Sequence, residues 1–254
     1  TLCESGTPKG KRMKANPKVQ AFQKNCFANY LSDIQERVNG FPTPYLYPDG
    51  NPIRPVVPVQ TTLNKIMLVG AFPSARFERR NGKLIPVGDN LAPFGPEQYF
   101  DGSEVRVQES TESLHKNYFP QLGIETGDLW ITDIVKVYLY PEKHLKNCRE
   151  LFPSSAFVDT HNLFSKIAEA SYSWFEKELL VCNPKLIITL GEVAAKVVSR
   201  SKPVLDGAIR DLSYGSGYKV VHLAHPEIRR RNKDWDRRTS VHLIQLAKQI
   251  KKYA

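Results

Sequence analysis

No stretch of this 254-residue chain approaches the roughly 20 consecutive apolar positions that a membrane-spanning helix requires. Cysteine is scarce. The four, Cys3, Cys26, Cys148 and Cys182, include no pair at the close spacing of zinc or redox sites, so reduced structural thiols, no metal and no cofactor are expected. Cys182 follows Leu179, Leu180 and Val181, a setting that suits a small buried hydrophobe. The chain has no Gly-x-Ser-x-Gly elbow, no glycine-rich phosphate loop and no Gly-Lys-Ser/Thr, which counts against an α/β hydrolase or a nucleotide-binding protein. Internal repeats and low-complexity tracts are missing too. The opening TLCESGTPKGKRMKANPK carries a basic patch with no apolar segment behind it. A secretory signal is therefore not expected, and the protein is expected to be intracellular and cytoplasmic.

What the sequence has is positive charge and proline in one place. Thirty-six Lys and Arg against 26 Asp and Glu leave a net charge of +10, which favours a polyanionic partner because basic surfaces release counterions on phosphates. Residues 1–16 are polar and basic and are expected to be mobile. From 17 to 38, Val19, Phe22, Cys26, Tyr30 and Ile34 recur at helical spacing, so an amphipathic helix is predicted, ending at Asn39–Gly40. Prolines at 42, 44, 48, 52, 55 and 58 then rule out helix or central strand and predict an extended surface arm. Residues 1–60 are thus read as an N-terminal helix and Pro-rich arm, an appendage to a domain over 61–254.

That domain alternates short apolar runs with helical patterns. Strands are predicted at KIMLVG (65–70), LWITDIVKVYLY (129–140), KLIITLG (185–191) and YKVVHLAHP (218–226). Helices are predicted at 109–119, 161–182, from 192 onward and at 237–252, with a long irregular stretch over 75–107 and loops over 141–160 and after His225. Such alternation predicts an α/β three-layer sandwich whose central, mostly parallel four-stranded sheet is flanked by helices. Ligands bind beyond the carboxyl ends of strands in such folds, which here means Gly70–Ser74, Asp133–Lys136, Gly191 and His225.

Four segments in this order resemble the uracil-DNA glycosylase superfamily: LVGAFPSARFE, ITDIVKVYLYPE, WFEKELLVCNPKLIITLGEVAAKVV and VVHLAHPEIRRRN. They span about residues 65 to 250 and are closest in layout to the iron–sulfur branches. The cluster cysteines are missing, however: Val137 stands where one ligand follows the lysine, and there is no N-terminal CxxC. The resemblance implies DNA repair by hydrolysis of the N-glycosidic bond of a deaminated base, uracil or a relative such as hypoxanthine. The alternative is a catalytically weak or inactive DNA-binding relative of the same fold.

Breaking that bond builds positive charge on the sugar and negative charge on the departing base, so the site needs a donor to the base, a held water and room for an extruded nucleotide. By resemblance His225 would donate to the base; the other reading is a histidine bonded to local backbone. Gly70, Ala71, Phe72, Pro73 and Ser74 would form the first pocket wall. Ala71 and Phe72 stand where active branches often carry a polar water-activating residue, which makes Asp89, after Gly88, the candidate carboxylate, with Asn90 and Ser74 as alternatives. Asp89 reads equally as an ordinary turn residue. Phe94, or Phe72, would stack the base; either could instead fill the core. Asp133 replaces the family's asparagine, and an ionised carboxylate only accepts, which suits a base edge rich in donors. It could equally cap a turn or pair with Lys136. The loop after His225 would press on DNA, Ile228 or Arg229 filling the vacated space and Arg229, Arg230, Arg231 and Lys233 holding phosphates.

Overall fold

A computed structural model describes residues 16–153, 156–212 and 217–254. The basic N-terminal stretch before Asn16, with Cys3, lies outside the described residues.

Helix α1 (Pro17–Arg37) starts where Asn16 accepts a hydrogen bond from the Lys18 amide at 2.9 Å and proline takes the first helical position. It buries the five residues whose spacing predicts it. The elements that follow are β1 (Ile66–Gly70), β2 (Ala75–Arg80), β3 (Lys83–Asp89), β4 (Gln98–Phe100), β5 (Val105–Val107), α2 (Glu109–Ser113) and α3 (Phe119–Leu122). A π-helical turn, Leu114–Tyr118, joins α2 to α3. Then come β6 (Leu129–Asp133), α4 (Glu142–Leu151), α5 (Phe164–Cys182), β7 (Leu186–Leu190), α6 (Glu192–Ser199), β8 (Arg210–Asp211), β9 (Lys219–Leu223), α7 (Pro226–Arg231) and α8 (Lys233–Ile250).

The main sheet has the order β6-β1-β7-β9-β8, with the first four strands parallel and β8 a two-residue antiparallel edge. The four predicted strands thus form the parallel sheet, and the short fifth is added at its rim. Alternate residues face opposite buried layers, which is why the strands read as largely apolar runs. Met67, Val69, Trp130, Ile187 and Val220 face the layer of α1 and α5. Ile66, Leu68, Ile131, Ile188 and Val221 face the layer of α3 and α8, where Leu243, Leu246 and Ile250 pack. The chain leaves β1 toward β6 on one side and later returns to β7 on the other, so strand order reverses beside β1. No helix among the described residues is long and apolar enough to cross a membrane.

Several boundaries differ from expectation. The stretch 75–107 is not irregular but holds two hairpins, β2–β3 and β4–β5. The first turns at Asn81–Gly82, both at positive φ, the dipeptide chemistry that two-residue hairpins require. The strand predicted over 129–140 ends at Asp133. Residues 134–140 are all buried yet leave the ladder after Ile134 and Val135 donate to the carbonyls of Gly70 and Ala71. Their apolarity reflects burial on every side rather than a sheet face. The loop expected over 141–160 contains α4, whose apolar face is only Leu145 and Cys148, and the basic loop after His225 is the helix α7. The first helix, expected as an appendage, fills a wall of the main core. There the Tyr30 hydroxyl meets Ser171 Oγ at 2.6 Å and accepts from the Lys136 amide at 3.0 Å.

Candidate functional site

The parallel register places Gly70 beside Asp133 at the carboxyl ends of β1 and β6. A methyl group at Gly70 would stand 2.1 Å from Asp133 Oδ1 and 2.6 Å from Phe94 Cε2, so both side chains close over the glycine. Phe94 is held at φ +48°, a left-handed conformation that is uncommon outside glycine. Its ring centroid lies 6.2 Å from that of His225, and Gly191, after β7, would bring a Cβ within 3.1 Å of His225 Cβ. Residues from four strand ends and one connecting loop therefore meet at the reversal point of the sheet. Gly70→Ala is expected to destabilise the protein by about 1–3 kcal/mol, because the buried Asp133 carboxyl and the Phe94 ring must both move to admit the methyl group. Denaturant unfolding checks this, and an unchanged midpoint would show the contact to be soft.

Asp133 is 2 % exposed, and among the described residues nothing bonds its Oδ1. The pairing with Lys136 that the sequence allows is not formed through the carboxylate. The Lys136 ammonium donates to Glu178 Oε2 at 2.5 Å, to Thr132 Oγ1 at 2.6 Å and to the backbone carbonyl of Asp133 at 2.5 Å. Burial pushes the Asp133 carboxyl up to about 7, the nearby Lys136 offsetting only part of that. Asn90 is buried with its own Oδ1 unpaired.

His225 caps α7: its Nδ1 accepts the amide of Glu227 at 3.2 Å. The local backbone bond is therefore real, and it fixes the tautomer. With Nδ1 accepting, the proton of the neutral ring sits on Nε2. Burial lowers the histidine below its usual range, so the neutral donor form prevails at physiological pH.

Other expected site residues are placed differently. Asp89 ends β3 opposite Ala75, close to the first turn, and is no free turn residue. It accepts from the Tyr47 hydroxyl at 2.7 Å and from the Arg54 amide at 3.1 Å, and burial raises its pKa. Tyr47, from the proline-rich arm, was invisible as a partner because nothing in its segment specifies which residue the arm crosses. Phe72 packs edge-on to His161, centroids 5.5 Å apart, and against Phe164 at 5.9 Å, so it serves the core. The carbonyl of Ala71 is taken by the Val135 amide, Pro73 is buried, and Ser74 Oγ makes only a 3.5 Å contact with the carbonyl of Ala75.

On α7, which His225 caps, Ile228 is exposed. Arg229 corrects the expectation for it: it is buried, bonded to Asp236 and to Ser240 Oγ at 2.9 Å, and lies over the Tyr118 ring at 5.3 Å. It is neither a wedge nor a phosphate ligand in this arrangement. Arg230 pairs with Glu109 at 2.7 Å and Glu227 at 3.0 Å, and Arg231 pairs with Glu227. Lys233 is exposed at the start of α8. The basic run is thus laced with acids from α2 and α7, which a string of arginines alone does not reveal.

Among the described residues no group of three or more His, Cys, Asp or Glu is placed to hold a metal ion. Val137, where the resemblance would need a cluster ligand, is a fully buried aliphatic side chain. Against known proteins, the family model described as "Uracil DNA glycosylase superfamily" matches residues 60–248. A comparison with curated proteins gives no match.

Proposed function

The chain belongs to the uracil DNA glycosylase superfamily, and from that membership we propose that it hydrolyses the N-glycosidic bond of a deaminated base in DNA, uracil or a relative such as hypoxanthine. The observation that carries the reading is the meeting of Gly70, Phe94, Asp133 and His225 at one end of the sheet. An extruded base would lie against the Phe94 ring with its pairing edge toward Asp133 and receive a hydrogen bond from Nε2 of His225 as negative charge grows on it. A neutral imidazole can do this, since Nε2 keeps its proton to donate while Nδ1 accepts the Glu227 amide. Ile228, exposed on the first turn after His225, would fill the gap left in the duplex, and Arg230, Arg231 and Lys233 would contact phosphates. A cytoplasmic location belongs to the same proposal. So does a boundary near residue 60, as a division of labour between arm (1–60) and glycosylase-like domain (61–254) rather than of packing.

The proposed carboxylate is Asp89. Two donors already occupy its oxygens, and Ala71 and Phe72 offer no alternative near the first turn. Those observations favour a second reading, a weak or silent DNA-binding relative. Asp89→Asn separates the roles: loss of a water-positioning carboxylate lowers single-turnover release by about 10²-fold or more. Unchanged turnover dismisses the assignment.

Duplex and single-stranded oligonucleotides carrying uracil, hypoxanthine or xanthine test the proposal. Abasic sites, revealed by alkaline strand cleavage, establish the enzyme. No cleavage with salt-sensitive binding retained establishes the second reading. Neither one removes both.

A further inference from the structure

Asp133 is the most unusual group in the site, because its carboxyl is buried with no hydrogen bond to Oδ1 and only a partial charge offset from Lys136, which disfavours the ionised form. Its surroundings offer little remedy. From its own segment, Lys136 faces Glu178 and the Asp133 backbone carbonyl. From α5, Glu178 adds a second negative charge nearby. From α1, Tyr30 and Cys26 adjoin Lys136, both neutral thanks to burial. Across Phe94 stands His225, held neutral by its own burial. Gly70 and the Phe94 ring, which with the carboxyl close on the same point, bring no charge at all.

We infer that Asp133 reads the extruded base as a neutral carboxylic acid. The carbonyl oxygen accepts from a ring N–H while the hydroxyl donates to the exocyclic oxygen beside it. The substrate class is a base with a lactam edge, an N–H next to a C=O, which deamination creates. This rests on the glycosylase reading and deepens it. It also revises the expectation of a donor-rich base edge, which holds only for an ionised carboxylate. A neutral acid supplies one donor and one acceptor, as an asparagine amide does. Once ionised, the same group faces the lactam oxygen with lone pairs only, and the base is repelled. The site would therefore recognise its base below the carboxyl's titration and lose it above.

The test compares the full chain with Asp133→Asn, a substitution that keeps shape and fixes the donor–acceptor pair. Single-turnover release of uracil is measured from about pH 5.5 to about pH 9. The parent is expected to fall about tenfold per pH unit above the carboxyl's value of about 7. Asp133→Asn should stay level over that limb. A parent rate level to about pH 9, or the same fall in the variant, overturns the inference. Infrared difference spectra give a readout independent of turnover. At pH about 6 the parent must show a protonated-carboxyl C=O band that Asp133→Asn lacks; its absence overturns the inference. Failure of the glycosylase reading looks different: no oligonucleotide is cleaved by either protein, yet the band persists and free uracil binds the parent at least about tenfold more tightly at low pH.

Discussion

His225→Ala is expected to lower single-turnover base release by about 10²–10³-fold, the loss typical when one donor to a developing oxyanion is removed. Duplex binding should change little, because phosphate contacts supply most of that affinity. The expectation follows from the hydrogen bond to Nδ1. The Glu227 amide occupies that nitrogen, so Nε2 carries the only proton the ring can offer a ligand. The alanine variant also loses the cap of α7, worth about 1 kcal/mol. His225→Asn separates the effects, since asparagine is itself a good cap and restores stability without the imidazole. If His225→Asn is both stable and fully active, the histidine is a capping residue and nothing more. A pH profile adds an independent check. Burial lowers the His225 pKa, so an acid limb due to its protonation must lie below the ordinary histidine value near 6.5. With the alkaline limb expected from Asp133, activity on uracil should be bell-shaped.

Lys136→Met is expected to destabilise the protein by about 3–5 kcal/mol, because it leaves Glu178 buried without its cation. Both side chains are fully buried, and the Glu178 carboxylate also accepts from Trp130 Nε1 at 2.6 Å. Replacing both partners, as in Lys136→Met with Glu178→Leu, should recover much of that loss, since a well-packed apolar pair often matches a buried ion pair. Urea denaturation of the two single variants and the double variant measures the coupling. Additive losses would mean that the pair is not coupled. The site should feel the change too: the ammonium holds the backbone carbonyl of Asp133, so a folded Lys136 variant should release base more slowly even where its stability suffices. Lys136 is thus a positioning residue, acting on the reading edge through the backbone.

The sheet was legible from sequence because its four parallel strands are buried on both faces and read as short, largely apolar runs, three of them ending in Gly70, Gly191 or Ala224–His225, while the run over 129–140 hides its end at Asp133. The convergence of those ends follows from topology: Gly70, Asp133 and His225 gather at one end of the sheet, with Phe94 from a connecting loop beside them. The hairpin at Asn81–Gly82 carried a usable signal that the charged, weakly alternating ARFERR and the proline in KLIPVGD masked. Helix α4 was not legible: two buried residues in ten give little periodicity, and proline stands just before it. The arm hid most of all. Nothing in YLYPDG says that the Tyr47 hydroxyl lands on Asp89, because extended segments owe their contacts to what they cross. The inward turn of Arg229 has the same origin, since its acceptors Asp236 and Ser240 lie on the next helix.

The central claim is spatial: one nucleobase, swung out of a duplex, lodges between the Phe94 ring, the Asp133 carboxyl and the His225 imidazole. A crystal structure of the protein with a duplex carrying 2′-fluoro-deoxyuridine, which resists cleavage, measures it directly. The account predicts uracil stacked on Phe94, its N3–H and O4 on Asp133 and its O2 within hydrogen-bond reach of Nε2. Uracil left paired in the helix, or bound away from the ends of β1, β6 and β9, contradicts it.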